Sequence, residues 1–378
     1  MTTLLPRICR RGIASSRSYA KTTSDEAFEQ RNQRGQEVTS GLIDAAFRIP
    51  SFSKIDTLAK YLQQNVILHE PGHFLIIPKP YGVSCLGMKQ KGGGVFKNSV
   101  HDQIDDDEEL EQSKKGNDIT ISDCLPLLAK HFQEPQLQFC TGLKRNVSGP
   151  IVLPANKTDF QHLLASLKRT SSKADDFEQH KALVLAIGQP DLPTKSLKGY
   201  TTFQKVGNHK EYVFVEAKAD RRARTGKYAV QSQIAWEVLG TANGISLLDV
   251  SVWKFARHFP RVALSHLLCP ILGDTMYMNR IIELDGKPAL LDPRQLYRQK
   301  NPTWLPPDFL RITGISRSMV NRLPMMWHVY RTMYPNYGTS AEQLDLVASL
   351  DPPTYFVAMV EALGLSTHLT RHLQKYER

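Results

Sequence analysis

Apolar positions change period several times along the chain, and each change predicts an element. From Ser53, the run S-K-I-D-T-L-A-K-Y-L-Q-Q-N-V-I-L sets Ile55, Leu58, Tyr61, Leu62 and Ile67 near helical spacing, with Ser53 placed as N-cap. Pro71 and Gly72 end that pattern. His73–Ile77 then reads as a short apolar strand, and Lys79-Pro80-Tyr81-Gly82 as a turn. Ser122–Phe132 returns to helical period, and Ile151–Leu153 to a strand. Thr158 is placed to cap a helix carrying Phe160, Leu163, Leu164 and Leu167. Leu183–Ile187 is apolar throughout and is broken by Gly188-Gln189-Pro190. Tyr212–Val215, Ile234–Leu239 and Ser246–Trp253 predict further strands, the last two joined by a turn at Thr241–Gly244. After about residue 299, Pro302, Pro306 and Pro307 open a segment of helical texture. Thr339–Ala348 and Thr354–Leu365 are its clearest predicted helices, the second started by Pro352-Pro353.

Strands interleaved with helices over 378 residues give an α+β class, in one large domain or two ordinary ones. Five scattered cysteines with no C-x-x-C argue against a zinc site and against a disulfide framework. No apolar run reaches the roughly 18 residues of a membrane span. The expected organisation is a leader over 1–21, a linker over 22–50, a main domain over 51–298 and a C-terminal helical extension over 299–378.

The leader carries Arg7, Arg10, Arg11, Arg17 and Lys21 with no acid, among serines and the apolar Leu4, Leu5, Ile8 and Ile13. That is the pattern of a mitochondrial transit peptide, and the first acid is Asp25. A basic disordered tail is the competing reading. Removing the five basic residues lowers the formal charge from +11 to +6, a mildly basic body compatible with RNA. The Gly92-Gly93-Gly94 cluster lacks a phosphate-loop frame and reads as a flexible loop. The run from Asp105 to Glu111 lacks a calcium-loop frame and reads as a solvated acidic loop, away from any RNA track.

Chemistry concentrates in Phe139–Asn156, F-C-T-G-L-K-R-N-V-S-G-P-I-V-L-P-A-N. Leu143, Ser148, Gly149, Ile151, Val152, Leu153 and Asn156 fit a frame R-L-D-x-x-[ST]-S-G-[LI]-[LV]-[LV] followed by Asn. Lys79-Pro80-Tyr81-Gly82 fits K-P-x-G, and Gly188 with Pro190 suits the end of Y-x-A-x-V-x-G-x-P. Cys269-Pro270-Ile271-Leu272-Gly273-Asp274-Thr275-Met276-Tyr277 is close to H-P-[IL]-x-G-D-x-x-Y. In this order, over roughly residues 73–280, these blocks resemble the RluA-type pseudouridine synthases. The leader and long C-terminal segment look most like the family's mitochondrial mRNA branch.

The resemblance implies a mostly antiparallel, curved mixed sheet flanked by helices, and an isomerisation of uridine to pseudouridine in mitochondrial RNA. It implies no metal and no organic cofactor. RNA is the expected partner, mRNA or rRNA, with ribonucleoprotein components beside it, in the mitochondrial matrix. In the family an aspartate carboxylate assists rupture of the glycosidic bond, as nucleophile or as partner to the sugar cation. Here that position is Lys144, and no Asp or Glu lies between Glu134 and Asp159. The family's active-site tyrosine falls on Ala182. The G-R-T-H-Q-I-R block falls on Phe255–Arg261, where His258 and Arg261 survive.

The family arginine pairs with the catalytic carboxylate, so Arg261 would face Lys144. At about 4 Å and an effective dielectric near 20, that costs on the order of 4 kcal/mol. A local acid, Asp249 or Asp274, is the structural alternative for Arg261, and a backbone hydrogen bond is the alternative for His258. Arg221, Arg222, Arg224 and Lys227 form a basic stretch with Tyr200, Phe203, Tyr212 and Tyr228 nearby. With Arg145 and His258 they are the expected RNA contacts, through phosphates and stacked bases. Two functions follow: a uridine isomerase, or an inert RNA-binding or assembly factor that keeps the cleft.

Overall fold

The computed structural model describes residues 39–86, 119–172, 178–192, 194–206, 209–216, 230–253, 258–298, 304–338 and 344–376. The leader, the glycine cluster, the acidic run and the basic stretch Arg221–Lys227 lie outside them.

Twelve strands are described, and every strand pair within the sheets is antiparallel. A three-stranded sheet contains β1 (Leu68–Glu70), β2 (Phe74–Lys79) and β3 (Gly149–Pro154) in that order. The main sheet has seven strands: β4 (His180–Ile187), β5 (Ser196–Val206), β6 (His209–Glu216), β7 (Val230–Ala242), β8 (Ile245–Val252), β11 (Trp327–Tyr337) and β12 (Leu344–Ser349). Their spatial order is β12-β11-β4-β8-β7-β5-β6. A hairpin of β9 (Ile281–Leu284) and β10 (Lys287–Leu290) stands apart. An isolated bridge from Ser148 to His328 and a bond from the Val329 N–H to the Ser148 carbonyl (2.8 Å) tie the small sheet to the large one.

Strand β4 shows why the sheet sits where it does. Ala182, Val184 and Ala186 enter one apolar core, and Leu183, Leu185 and Ile187 the opposite one. Both faces are buried, which is why the sequence reads as an unbroken apolar run. Each Val, Leu or Ile so buried contributes roughly 1.5–3 kcal/mol. The first core is covered by α2 (Ile55–Gln64) and α3 (Ile121–Phe132). Thr120 and Asp123 close a reciprocal capping box on α3, satisfying two otherwise orphaned N–H groups. The second core is covered by α1 (residues 39–47) and by helices from the C-terminal segment. Among the described residues, no helix is long and apolar enough to cross a membrane.

Four expectations need correction. The helix from Ser53 starts after Lys54, without a side-chain cap, and ends at Gln64, so Ile67 lies beyond it. The next helix, α4 (Lys157–Ser172), is capped by Asn156, whose Oδ1 accepts the Asp159 N–H at 2.8 Å; Thr158 lies inside it. Residues 39–47, expected to be linker, are helical and bury Ile43 and Ala46. The segment 299–378 is not a helical extension packed on a finished domain. It does carry α6 (Pro307–Thr313), α7 (Arg317–Val320), α8 (Thr354–Ala362) and α9 (Ser366–Gln374), but it also supplies β11 and β12. Of the helix expected over Thr339–Ala348, the part from Leu344 on is instead strand β12 and pairs with β11, Arg331 opposite Ser349 and Met333 opposite Val347.

Candidate active site

The loop before β3 is held from below by a buried lysine. Lys79 ends β2 and is 1% exposed, and its Nζ donates to the carbonyls of Pro80 (3.1 Å), Arg145 (2.9 Å) and Val147 (2.7 Å). Three donors and no acceptor is the inventory of an ammonium group, so the charge is spread over three backbone dipoles. The Gly82 N–H donates to the same Arg145 carbonyl at 2.9 Å, from a φ of +81° that favours glycine. This is what the K-P-x-G turn does: it folds back to fix the loop carrying Lys144.

Ser148 and Gly149 fix the other end. A Cβ on Gly149 would stand 2.6 Å from the Val329 carbonyl oxygen and 2.7 Å from Leu143 Cδ1, so only glycine lets β3 meet β11 there. Ser148 Oγ lies 2.9 Å from His328 Nδ1 and 3.2 Å from the Tyr355 hydroxyl, and His328 Nε2 lies 3.0 Å from the Leu350 carbonyl. A carbonyl only accepts, so Nε2 carries the proton and Nδ1 accepts from Ser148 in the neutral ring. Burial pushes the His328 pKa down to about 4, against the opposing effect of its hydrogen bonds. Asn156, the last residue of the frame, caps α4 and donates to the Gly72 carbonyl at 2.6 Å, a structural role.

Lys144 and Arg261 line one small cavity with Val147, His258, Pro260, Met325 and Trp327. Its volume is about 20 Å³, on the scale of a single water. No carboxylate is among its described lining residues. Lys144 is 6% exposed and Arg261 7%.

The juxtaposed cations are handled by the local acid. Arg261 donates Nε and Nη2 to the two oxygens of Asp274, at 2.8 and 2.7 Å. Asp274 also accepts the backbone N–H groups of Met276 (3.0 Å) and Tyr277 (3.2 Å). Burial alone would raise the Asp274 pKa; the guanidinium charge and these hydrogen bonds outweigh it and hold the carboxyl below its usual range. Of the two acids considered for Arg261, Asp274 is the partner. Asp249 instead accepts the Tyr330 hydroxyl at 3.1 Å.

Tyr277 lies between two guanidiniums, Arg261 at 5.0 Å and Arg280 at 4.5 Å from the ring centroid. Its hydroxyl is 2.8 Å from His258 Nδ1. His258 sits in the left-handed region (φ 59°) at the N-cap of α5 (Phe259–His266).

Of the residues singled out from the sequence, Lys144, His258 and Arg261 come together, with Arg145 in the same loop. Ala182 is buried in β4 on the cavity side of the sheet. Trp327 lies diagonal to it, because Trp327 opposes Val184 and Val329 opposes Ala182. The aromatic wall of the cavity therefore comes from β11 and not from the strand expected to bear a tyrosine. Sequence reasoning missed Trp327 and Arg280, and read Lys79 only as part of a turn. The alternation Trp327-His328-Val329-Tyr330, with Trp327 and Val329 in one core and Tyr330 in the other, was the available signal for the first. Among the described residues, no cluster of three or more His, Cys, Asp or Glu side chains is placed to hold a metal ion.

A seven-stranded antiparallel sheet joined to a smaller one by a fixed loop is the architecture of a pseudouridine synthase domain. The human RNA pseudouridylate synthase domain containing 4 structure superposes with a TM-score of 0.54 at 21% identity, covering 82% of this chain and 97% of that one. In sequence, the human mitochondrial pseudouridylate synthase RPUSD4 is 27% identical over 324 residues, 82% of this chain and 72% of the relative. The human mitochondrial mRNA pseudouridine synthase RPUSD3 is 23% identical over 354 residues, 90% of this chain and 88% of the relative. No family model matches. With the ordered motifs, these likenesses make the chain similar to the RluA-type pseudouridine synthases in sequence and in fold.

Proposed function

We propose that this chain acts on mitochondrial RNA as a binding member of the family, and that its pocket does not isomerise uridine by the carboxylate route. One observation carries this reading. Where the family carries its aspartate, the loop holds a buried Lys144, in a cavity of about 20 Å³ with no carboxylate among its described lining. A carboxylate shares a lone pair and carries negative charge beside a developing oxocarbenium ion, and an ammonium does neither. Ala182 and Trp327 add to the case, since they put an aromatic ring on the pocket wall and remove the expected tyrosine. The relatives' names, mitochondrial in each case and mRNA in one, support RNA as ligand and the mitochondrion as location. The matrix is the compartment we propose, with ribonucleoprotein components as partners. The basic stretch Arg221, Arg222, Arg224 and Lys227 supplies the phosphate contacts in this reading.

The test incubates purified protein with mitochondrial mRNA and rRNA transcripts and maps pseudouridine chemically. The expected result is RNA binding with no new pseudouridine. Site-specific conversion by the wild type, abolished by Arg261→Ala, would overturn it. Gain of conversion in Lys144→Asp would identify the missing carboxylate as the cause. Binding is read by filter retention across a salt series. Replacing Arg221, Arg222 and Arg224 with Ala is expected to flatten the log–log slope by about 2 for a single strand.

A further inference from the structure

A second cavity, of about 250 Å³, shares Arg261 and Met325 with the small one, but Lys144 does not line it. Besides Arg261 of α5, its walls come from five separate parts of the chain. Phe47 ends α1, Tyr81 belongs to the K-P-Y-G turn, and Asn146 to the site loop. Thr275 belongs to the Gly273-Asp274-Thr275 turn, and Asn321 and Arg322 follow α7. The walls are fixed. A Cβ on Gly273, whose φ is +81°, would stand 2.2 Å from the Pro324 carbonyl oxygen, so that turn and the 321–325 segment are in close contact. The Tyr81 hydroxyl accepts the Met325 N–H at 3.0 Å, locking the opposite wall to the same segment.

The chemistry of this cleft favours an anion with an aromatic body. Asp274 is the one acid among its described lining residues, and both its oxygens are taken up by Arg261 and by the Met276 and Tyr277 N–H groups. Arg322 adds an exposed guanidinium, and Asp274 apart no acid is among the described lining. Guanidinium groups match phosphate geometry. Asn146 and Asn321 each bring a carboxamide that both donates and accepts, the combination that reads base edges. Phe47 and Tyr81 offer ring surface, on which any base stacks.

We infer that this cleft binds one nucleoside monophosphate unit, with its phosphate at Arg322 and its base between the Asn146 and Asn321 carboxamides and the Phe47 and Tyr81 rings. The unit is either a free nucleotide or one residue of an RNA strand, and only the second source rests on the RNA-binding reading above. Because the site is offset from Lys144, it accommodates a nucleotide other than one placed for reaction at the loop.

The test titrates the full chain calorimetrically with uridine monophosphate, uridine, inorganic phosphate and, separately, an oligouridylate RNA. Uridine monophosphate is expected to saturate one site, with uridine and phosphate each about tenfold weaker. Arg322→Glu and Asn146→Ala are each expected to weaken it about tenfold, with unchanged melting curves. Absence of saturable binding, affinity unchanged in Arg322→Glu, or phosphate binding as tightly as the nucleotide would each overturn the inference. The two readings fail separately. Nucleotide binding without oligouridylate binding supports the cleft with a free nucleotide as ligand, and counts against RNA. Salt-dependent RNA binding without nucleotide binding does the reverse.

Discussion

Lys79→Met removes one charged group and nearly nothing else, because the thioether side chain replaces the aliphatic stem. What it removes is three donated hydrogen bonds, of 2.7 to 3.1 Å, to backbone carbonyls of the turn and the site loop. The Arg145 carbonyl keeps the Gly82 N–H, so the Pro80 and Val147 carbonyls bear the loss. A hydrogen bond to a charged group contributes about 1.5–3 kcal/mol. Relief of burying the ammonium offsets part of the two lost bonds. The expected net is a destabilisation of about 3 kcal/mol, which for a chain of this size lowers Tm by roughly 5 °C. Denaturant melts measure the first, and amide exchange locates it: the Val147 N–H, which donates to the Lys144 carbonyl at 3.1 Å, is expected to exchange faster than in wild type. Stability within about 0.5 kcal/mol of wild type, with unchanged exchange at Val147, would show that Lys79 does not organise the loop.

Asp274→Ala leaves Arg261 buried without its counter-charge. It is expected to cost about 3–5 kcal/mol in denaturant melts, while the double variant with Arg261→Leu recovers part of the loss. In the wild type, the folded-state pKa of Asp274 lies below its unfolded value. Its contribution is therefore full above the ordinary carboxylate pKa near 4 and is lost as the pH falls through the folded value, a late phase of acid unfolding that Asp274→Asn should lack. His328 acts at higher pH: its pKa falls from 6.5 unfolded to about 4 folded, so only the unfolded chain takes the proton between them and stability drops across that window. Urea melts at pH 7.5 and 5 are expected to show a smaller difference for His328→Gln than for wild type. Gly149→Ala places a methyl against the Val329 carbonyl and Leu143, and is expected to destabilise by about 1–3 kcal/mol, read as a shift in urea midpoint with unchanged slope.

The main domain was legible because its burial is simple. Leu183–Ile187 is an apolar run with both faces covered, Ser246–Trp253 a largely apolar one, and no helix of that length would be bounded so tightly by turns. The site loop was legible because its constraints are backbone constraints: Gly82 needs positive φ, Gly149 needs no Cβ, and Asn156 caps a helix. The C-terminal segment misled. Ala-Glu-Gln-Leu-Asp-Leu-Val-Ala-Ser-Leu has good helix formers at helical spacing, yet Leu344–Ser349 takes its conformation from pairing with β11. Pairing across long sequence separations leaves no local mark. The same gap hid Trp327, and with it the size of the Lys144 cavity. Charge arithmetic could state the conflict between Lys144 and Arg261 but could not choose Asp274 over Asp249, because that choice depends on which way the Gly273-Asp274 turn faces.

The position of β11 bears on how the molecule is made. It lies between β4 and β12, pairing with β4 through Trp327 opposite Val184 and Thr332 opposite His180. In synthesis from the N-terminus, β4 is complete some 140 residues before its partner emerges. Until then it is the bare outer strand of a five-stranded sheet, apolar on both faces, with a row of unpaired N–H and C=O groups. A chain ended before Trp327 is therefore expected to aggregate rather than persist as a smaller domain. The segment from Trp327 onward is thus the piece that turns the apolar edge of the sheet into its interior.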